Sequence, residues 1–251
     1  MAFFGFCFAS SSVYLLNDLA DLPYDRENPS KRHRPLASGS LPWSWALAAS
    51  GVLATAAVAL MAPLPKVCAG VVGAYLLMNI AYSVRLKHVV LLDVGVIAFG
   101  FVLRVLLGVY AVGVRPTSWI VLCMFFLALF LGFAKRRGEM GGEGSGSHRR
   151  PVLAAYRVEF LDLLLVMTAT TSVICYALYT VTGYQDNATL VVTVPLVTYG
   201  IVRYLLLVTV LGQGESPERL LVTDRVLQGT VALWVALCVL ILYSNVRLFE
   251  E

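Results

Sequence analysis

The sequence predicts an all-α polytopic membrane protein with about eight spanning helices, and three observations carry this. The 251 residues are 59% hydrophobic, with a mean hydropathy of +0.80. Only 14% are charged, against about 25% in soluble chains. The apolar residues also gather into eight runs, most of them near the roughly 20 residues a helix needs to cross a hydrocarbon core of about 30 Å. A chain this apolar is not disordered, and residues 1–251 read as a single integral membrane domain.

The runs cover residues 2–16, 42–62, 66–83, 89–113, 117–134, 160–182, 189–211 and 226–246. The first is the shortest, because Asn17 and Asp18 end it. Neither heptads nor a clear internal repeat is visible. The one low-complexity patch, Gly138 to Ser147, reads as a flexible loop. Cys7, Cys68, Cys123, Cys175 and Cys238 fall one to an apolar segment without C-x-x-C spacing, which is the pattern of small buried hydrophobes and implies neither disulfide nor zinc. His33, His88 and His148 are scattered, and the start of the chain lacks a signal-peptide pattern.

Orientation follows from the distribution of Lys and Arg. The connections 17–41, 84–88, 135–159 and 212–225 hold Arg26, Lys31, Arg32, Arg34, Arg85, Lys87, Lys135, Arg136, Arg137, Arg149, Arg150, Arg157, Arg219 and Arg225. The opposite side holds Lys66, Arg115 and Arg247, while Arg104 and Arg203 lie inside runs. Fourteen against three places those four connections in the cytoplasm, with both ends of the eight spans outward. The net charge of +4 is too small to suggest a nucleic-acid partner. Most of the acids share the cytoplasmic side, which positive-inside bias does not explain. A face crowded with both signs suits an anionic ligand held partly through a metal ion.

The sharpest feature is Asn17-Asp18-Leu-Ala-Asp21-Leu-Pro-Tyr-Asp25. Asp18, Asp21 and Asp25 stand at i, i+3 and i+7, so a helix stacks their carboxylates on one face; alternatively, Pro23 disturbs the last turn and Asp25 is offered from a loop. Unpaired carboxylates at a membrane boundary are costly, whereas Mg²⁺ is held by one or two carboxylates together with substrate phosphates. Lys31, Arg32 and Arg34 follow directly, with Arg26 between. Such cations bind the outer oxygens of a metal-bound diphosphate. The plainer readings are a solvated acidic helix end and a basic run attracted to anionic lipid.

N-D-x-x-D-x-x-x-D followed by N-P-x-K-x-R-P resembles the first aspartate-rich motif of the intramembrane prenyltransferase (UbiA-like) superfamily. Tyr82-Ser83-x-x-Leu86-Lys87 is similar to the superfamily's short loop two spans later. Gly100-Phe-Val-Leu-Arg104, Lys135-Arg136-x-x-Glu139, Arg203-Tyr204 and Pro217-Glu218-x-Leu-Leu-x-x-Asp224-Arg225-x-Leu-Gln228 resemble one branch, the decaprenyl-phosphate phosphoribosyltransferases. The resemblance runs from about residue 5 to 235, and it departs from the superfamily twice. The superfamily has nine spans with this motif after the second, so its first helix is expected to be missing here. Residues 135–159 also lack a second D-x-x-x-D set, and the chain offers Lys135, Arg136, Glu139, Glu143, Tyr156, Glu159 and Asp162 instead. A diphosphate donor other than a prenyl diphosphate fits that change.

The resemblance implies a UbiA-like helical bundle and Mg²⁺-dependent transfer of a 5-phosphoribosyl group from 5-phosphoribosyl 1-diphosphate to a polyprenyl (decaprenyl) phosphate, for cell-wall arabinan precursors. Asp18 and Asp21 are the expected metal ligands, with Asn17 and Asp25 completing the catalytic set. Lys31, Arg34, Tyr82, Lys87, Lys135, Arg136, Glu139, Tyr156, Arg203, Asp224 and Arg225 are the expected substrate contacts. Arg203, nearer the cytoplasmic end of its span, is the candidate for the lipid phosphate; Arg104 lies deeper and reads as structural. Asp93 and Arg104, 11 residues apart, are about 16 Å apart along a helix and too far to pair. Asn79 reads as polar packing glue between helices. Besides the bilayer and the two substrates, a homo-oligomer is compatible with the sequence. Two alternatives stand beside this reading: prenyl transfer from a prenyl diphosphate and, more distantly, secondary anion transport.

Overall fold

The computed structural model describes residues 1–27, 31–141, 151–182, 188–214 and 217–244. These are mainly helical, without strands among the described residues. Among the described residues ten α-helices follow in order: α1 Ala2–Ala20, α2 Leu22–Glu27, α3 Trp43–Ala59, α4 Lys66–Val84, α5 Leu92–Ala111, α6 Ser118–Gly141, α7 Val158–Thr182, α8 Val194–Thr209, α9 Pro217–Thr223 and α10 Arg225–Ser244. They divide between two compact units.

The first unit comprises residues 1–116 and 145–155, of which those up to 150 in the second stretch lie outside the described residues. Helix α1 is its centre, packing on α3, α4 and α5. Small side chains let α1 and α3 approach closely, the packing mode that works where lipid removes the hydrophobic drive between helices. Gly5, Ala9 and Ser12 stand at i, i+4 and i+7 on α1 and are buried, as are Ala46, Ser50 and Ala57 on α3. A Cβ on Gly5 would meet the Met61 side chain and come within 3.3 Å of the Ala57 carbonyl. Ser12 and Ser50 interlock: each hydroxyl donates to the other residue's carbonyl, at 2.9 and 3.1 Å. Around the seam Phe6, Met61, Val72, Tyr75, Leu103 and Leu107 close the core. Between a 3-10 turn at Leu86–His88 and α5 the chain reverses through Leu91, at φ 68°.

The second unit comprises residues 117–144 and 156–251 as far as they are described. Helices α6 and α7 form its most extensive pairing, α8 packs on both, and α10 packs on α8. After α8 the loop reaches back to α6. A Cβ on Gly214 would stand 2.8 Å from the Ala134 carbonyl and 3.1 Å from the Gly138 Cα, so only glycine fits there without displacing α6.

Among the described residues seven helices are long and apolar enough to cross a membrane, against eight expected spans. The shortfall is the run 42–62, whose helix α3 stops at Ala59 after 17 residues. The chain then turns through 60–64 towards Pro65, and a residue before proline is disfavoured in the helical region. The first span is longer than its apolar run. Asn17 and Asp18 do not end α1, which continues to Ala20, since a polar pair at a helix end breaks no backbone hydrogen bond. Residues 135–141, expected as loop, are the last turns of α6; Lys, Arg, Glu and Met are good helix formers. Large apolar side chains such as Leu77, Leu163, Val202 and Leu240 are exposed on the helix flanks, where lipid solvates them.

Candidate active site

The aspartate-rich motif lies at one end of the first unit. Helix α1 ends with Asp21 as its cap at φ −91° and ψ −1°, and Pro23 occupies the first turn of α2, where its missing N–H costs nothing. The join stays nearly helical, because the Asp25 N–H donates to the Asp21 carbonyl at 2.9 Å. Asp25 is therefore presented from a short second helix, neither on a continuous α1 nor from a loop. It is also the most enclosed of the three, with its side chain 4% exposed.

Cations from two other segments meet these carboxylates. One Arg34 nitrogen, Nη1, donates to Asp18 Oδ1 at 2.7 Å and to Asp25 Oδ2 at 2.9 Å. Lys31 lies 3.7 Å from the other oxygen of Asp25. Lys87, carried 66 residues away by the turn after α4, donates to Asp21 Oδ1 at 2.5 Å. Asn17 Nδ2 donates to Asp21 Oδ2 at 3.1 Å, and the Asn17 carbonyl oxygen accepts from Ser83 at 3.4 Å. Asn17, Asp18, Asp21, Asp25, Lys31, Arg34 and Lys87 thus form one network, with Tyr82 half-buried beside Ser83 on the last turn of α4.

Two of the carboxylates face one another across a single positive nitrogen. Among the described residues no three acidic, histidine or cysteine side chains converge as a ready-made metal cage. Two facing carboxylates suit Mg²⁺, which takes one or two from the protein and the rest of its shell from water and substrate phosphate. The hard oxygen donor set fits such an ion, and Arg34 shows that the space between Asp18 and Asp25 accepts positive charge.

The second unit gathers its own charges at one end. Arg136, 2% exposed, donates to Glu139 at 2.8 Å, one turn along α6. Arg137 pairs with Asp162 on α7 at 2.8 Å. Arg203 on α8 grips Asp224 with Nη2 at 2.7 Å and Nε at 3.4 Å. Asp224 in turn accepts the Leu227 N–H at 2.7 Å, capping α10. The Arg203 guanidinium beside it, and then the Leu227 N–H, hold the Asp224 carboxyl below the usual carboxylate range. Arg203, expected at a lipid phosphate, is thus engaged in tying α8 to the α9–α10 junction. Lys135 is half-buried, Tyr156 buried and Arg225 exposed. Glu143 and Glu215 lie outside the described residues, as does the side chain of Glu218.

Sequence reasoning found the charged residues but missed their partners. Ser83 was visible only as part of a motif, and the Arg137–Asp162 pair joins two helices whose sequence spacing gives no signal. Asn79 bonds within its own helix, to the Tyr75 carbonyl at 2.8 Å, and not across helices as expected.

Among the described residues seven helices able to cross a bilayer, with most of the charge near helix ends, define a multi-pass membrane protein. Residues 1–221 match the model of the UbiA prenyltransferase family, and the chain belongs to that family. Decaprenyl-phosphate phosphoribosyltransferase of Mycolicibacterium smegmatis is 33% identical over 246 residues, spanning 94% of this chain and 77% of the relative. The proteins of the same name from Corynebacterium glutamicum and Mycobacterium tuberculosis are 32% and 35% identical, covering 97% and 94% of this chain and 75% and 78% of theirs. The fold is that of a UbiA homolog from Archaeoglobus fulgidus solved with DMAPP and Mg²⁺, at a TM-score of 0.75 and 20% identity over 94% of this chain and 84% of that one.

Proposed function

We propose that this chain transfers the 5-phosphoribosyl group of 5-phosphoribosyl 1-diphosphate to a polyprenyl phosphate, decaprenyl phosphate foremost, and releases diphosphate. The observation that carries the reading is the interleaving of Asp18, Asp21 and Asp25 with Arg34, Lys31 and Lys87. That network offers a diphosphate both a metal platform and cations. The relatives named above, similar over nearly the whole chain, support ribosyl over prenyl transfer.

In the reaction the bond from the anomeric carbon to the diphosphate oxygen breaks, and a bond to a phosphate oxygen of the lipid forms. The nucleophile is already an anion, so no strong general base is needed. The difficulty lies in bringing two anions together, and fixed cations lower that barrier. Mg²⁺ held by Asp18, with Asp21 or the facing Asp25 as its second carboxylate, would stabilise the departing diphosphate. Asn17 fixes the orientation of Asp21, and Asp25 keeps Arg34 and Lys31 in place. When a diphosphate takes over the charge balance, Arg34 and Lys87 are the side chains free to turn to its oxygens. Lys135, Arg136, Glu139, Tyr156, Arg203, Asp224 and Arg225 are the second unit's candidates for substrate contact. The excess of Lys and Arg on one set of connections supports a cytoplasmic site in the plasma membrane.

Purified protein with Mg²⁺, decaprenyl phosphate and labelled 5-phosphoribosyl 1-diphosphate is expected to yield a labelled lipid. EDTA should stop the reaction and added Mg²⁺ restore it. Consumption of a prenyl diphosphate, with the ribosyl donor untouched, would replace this reading with prenyl transfer.

A further inference from the structure

We propose that the cavity between α1 and α5 holds the head group of an anionic glycerophospholipid, phosphatidylglycerol in type, with Arg104 as the cation that recognises its phosphodiester. This rests on the membrane-spanning reading alone and is independent of which group the protein transfers.

Arg104 sits inside α5, a span of mean hydropathy 2.2. An ionisable group at such depth marks a function unless a partner neutralises it. No carboxylate among the described residues pairs with this one. Its guanidinium lies over three rings, 5.3, 5.5 and 4.7 Å from the centroids of Phe6, Tyr75 and Phe101. Rings stabilise a cation but offer few hydrogen-bond acceptors, and a guanidinium carries five N–H donors. One contact is made, from Nη2 to the Tyr75 hydroxyl at 3.2 Å. That hydroxyl is itself 3.2 Å from Ser10 Oγ. The site is thus built around a positive group whose remaining donors lack a matching anion.

The cavity beside it has a volume of about 520 Å³, and Phe3, Phe6, Ser10, Ser11, Leu107 and Arg104 are among its lining. Phe3 and Tyr14 at its margin are exposed, at 72% and 67%, so the cavity opens on the flank of the unit. Depth selects the occupant. Arg104 is 11 residues beyond Asp93 at the start of α5, about 16 Å along the helix. It is seven residues short of the other end, Ala111, about 10 Å, and so nearer to that end than to Asp93. The start of α1, Ala2 and Phe3, lines the cavity as well, whereas the aspartates lie at the far end of that helix. A head group held level with Ser10 lies eight residues before Asp18 on α1, about 12 Å, too distant to react at the aspartates. Its phosphodiester would accept from Arg104 and from the serine hydroxyls, while an acyl chain lies against Phe3, Phe6 and Leu107. A zwitterionic lipid brings its own ammonium and gains less from a lone cation than an anionic one does.

The test is native mass spectrometry of the purified protein, equilibrated with equal amounts of phosphatidylglycerol and phosphatidylcholine. Wild type should retain one phosphatidylglycerol at least tenfold over phosphatidylcholine. Arg104→Gln should bring the two to near parity. Gly108 also lines the cavity, and a Cβ there meets nothing within 4 Å, so Gly108→Leu fills the space while keeping the charge and should also lose the retained lipid. If Arg104→Gln does not fold, Gly108→Leu decides. Equal retention of both lipids by wild type, or wild-type retention of phosphatidylglycerol by either folded variant, would overturn the proposal. Retention of a polyprenyl phosphate in place of phosphatidylglycerol would overturn the choice of occupant.

Discussion

Each of the three motif aspartates holds a cation in the structure, and that pairing sets what its replacement does. Asp18→Asn and Asp21→Asn each remove one negative charge without changing side-chain size. Both are expected to lower turnover by at least a hundredfold, while the detergent-solubilised protein elutes as wild type on size exclusion; near-normal turnover in either variant would exclude it from metal binding. Lys87 gives a different signature. Its side chain is 12% exposed and bonded to Asp21, so Lys87→Met takes a cation from the donor site and leaves a carboxylate unpaired. The KM for the ribosyl donor should rise at least tenfold, with the KM for the lipid little changed. Wild-type donor binding should also weaken with salt more steeply than that of the variant, because screening acts on the missing charge. Equal salt slopes would show that Lys87 does not face the donor.

Helix ends carry much of the polar work of this protein, and the junction of α9 and α10 shows why. Asp224 caps α10 through the Leu227 N–H and holds Arg203 of α8. The Gln228 amide closes the same corner on the Val222 carbonyl at 2.6 Å. Asp224→Ala loses both cap and charge, and Asp224→Asn keeps an N-cap acceptor while losing the charge. Thermal unfolding should rank wild type above Asn above Ala, the last step reflecting the lost cap. The charge carries a pH signature too. The Asp224 carboxyl is depressed in the folded protein, so its contribution is fully present above the ordinary carboxylate value of about 3.9. It is lost only as pH falls through the lower, folded value. The difference in melting temperature between wild type and Asp224→Asn should therefore hold from pH 7 to 5 and close below about pH 4. A difference that vanishes at pH 6 would show that some other group controls this corner.

For the molecule as a whole, orientation is the property that charge bias predicts and that labelling measures. Ser38, exposed near the motif, and Lys66, exposed at the start of α4, lie at opposite ends of the helices in the first unit. Single cysteines at these positions, with all five native cysteines changed to Ser or Ala, should react oppositely with a membrane-impermeant maleimide. Intact cells should label position 66 and inverted vesicles position 38. The reverse pattern would put the aspartates outside and end the proposal of a cytoplasmic donor.

Composition and hydropathy by themselves determined that the chain is helical and crosses a membrane repeatedly, because a bilayer tolerates backbone only when its hydrogen bonds are satisfied within the segment. The spacing of Asp18, Asp21 and Asp25, with Lys31 and Arg34 behind them, marked the candidate site for a similar reason: charge at a membrane boundary is too costly to be incidental. Helix ends were less legible. Run lengths follow hydropathy, but a helix stops where its hydrogen bonds do, and so α1 and α6 continue through polar residues while α3 stops short. Only the tertiary structure decided the partners: Lys87 with Asp21, Arg34 across Asp18 and Asp25, Arg203 with Asp224, and Arg104 among aromatic rings. Pairing depends on which helix faces meet, and those are set by close approaches such as Gly5 on α3 and Gly214 on α6, contacts made between segments that local sequence does not relate.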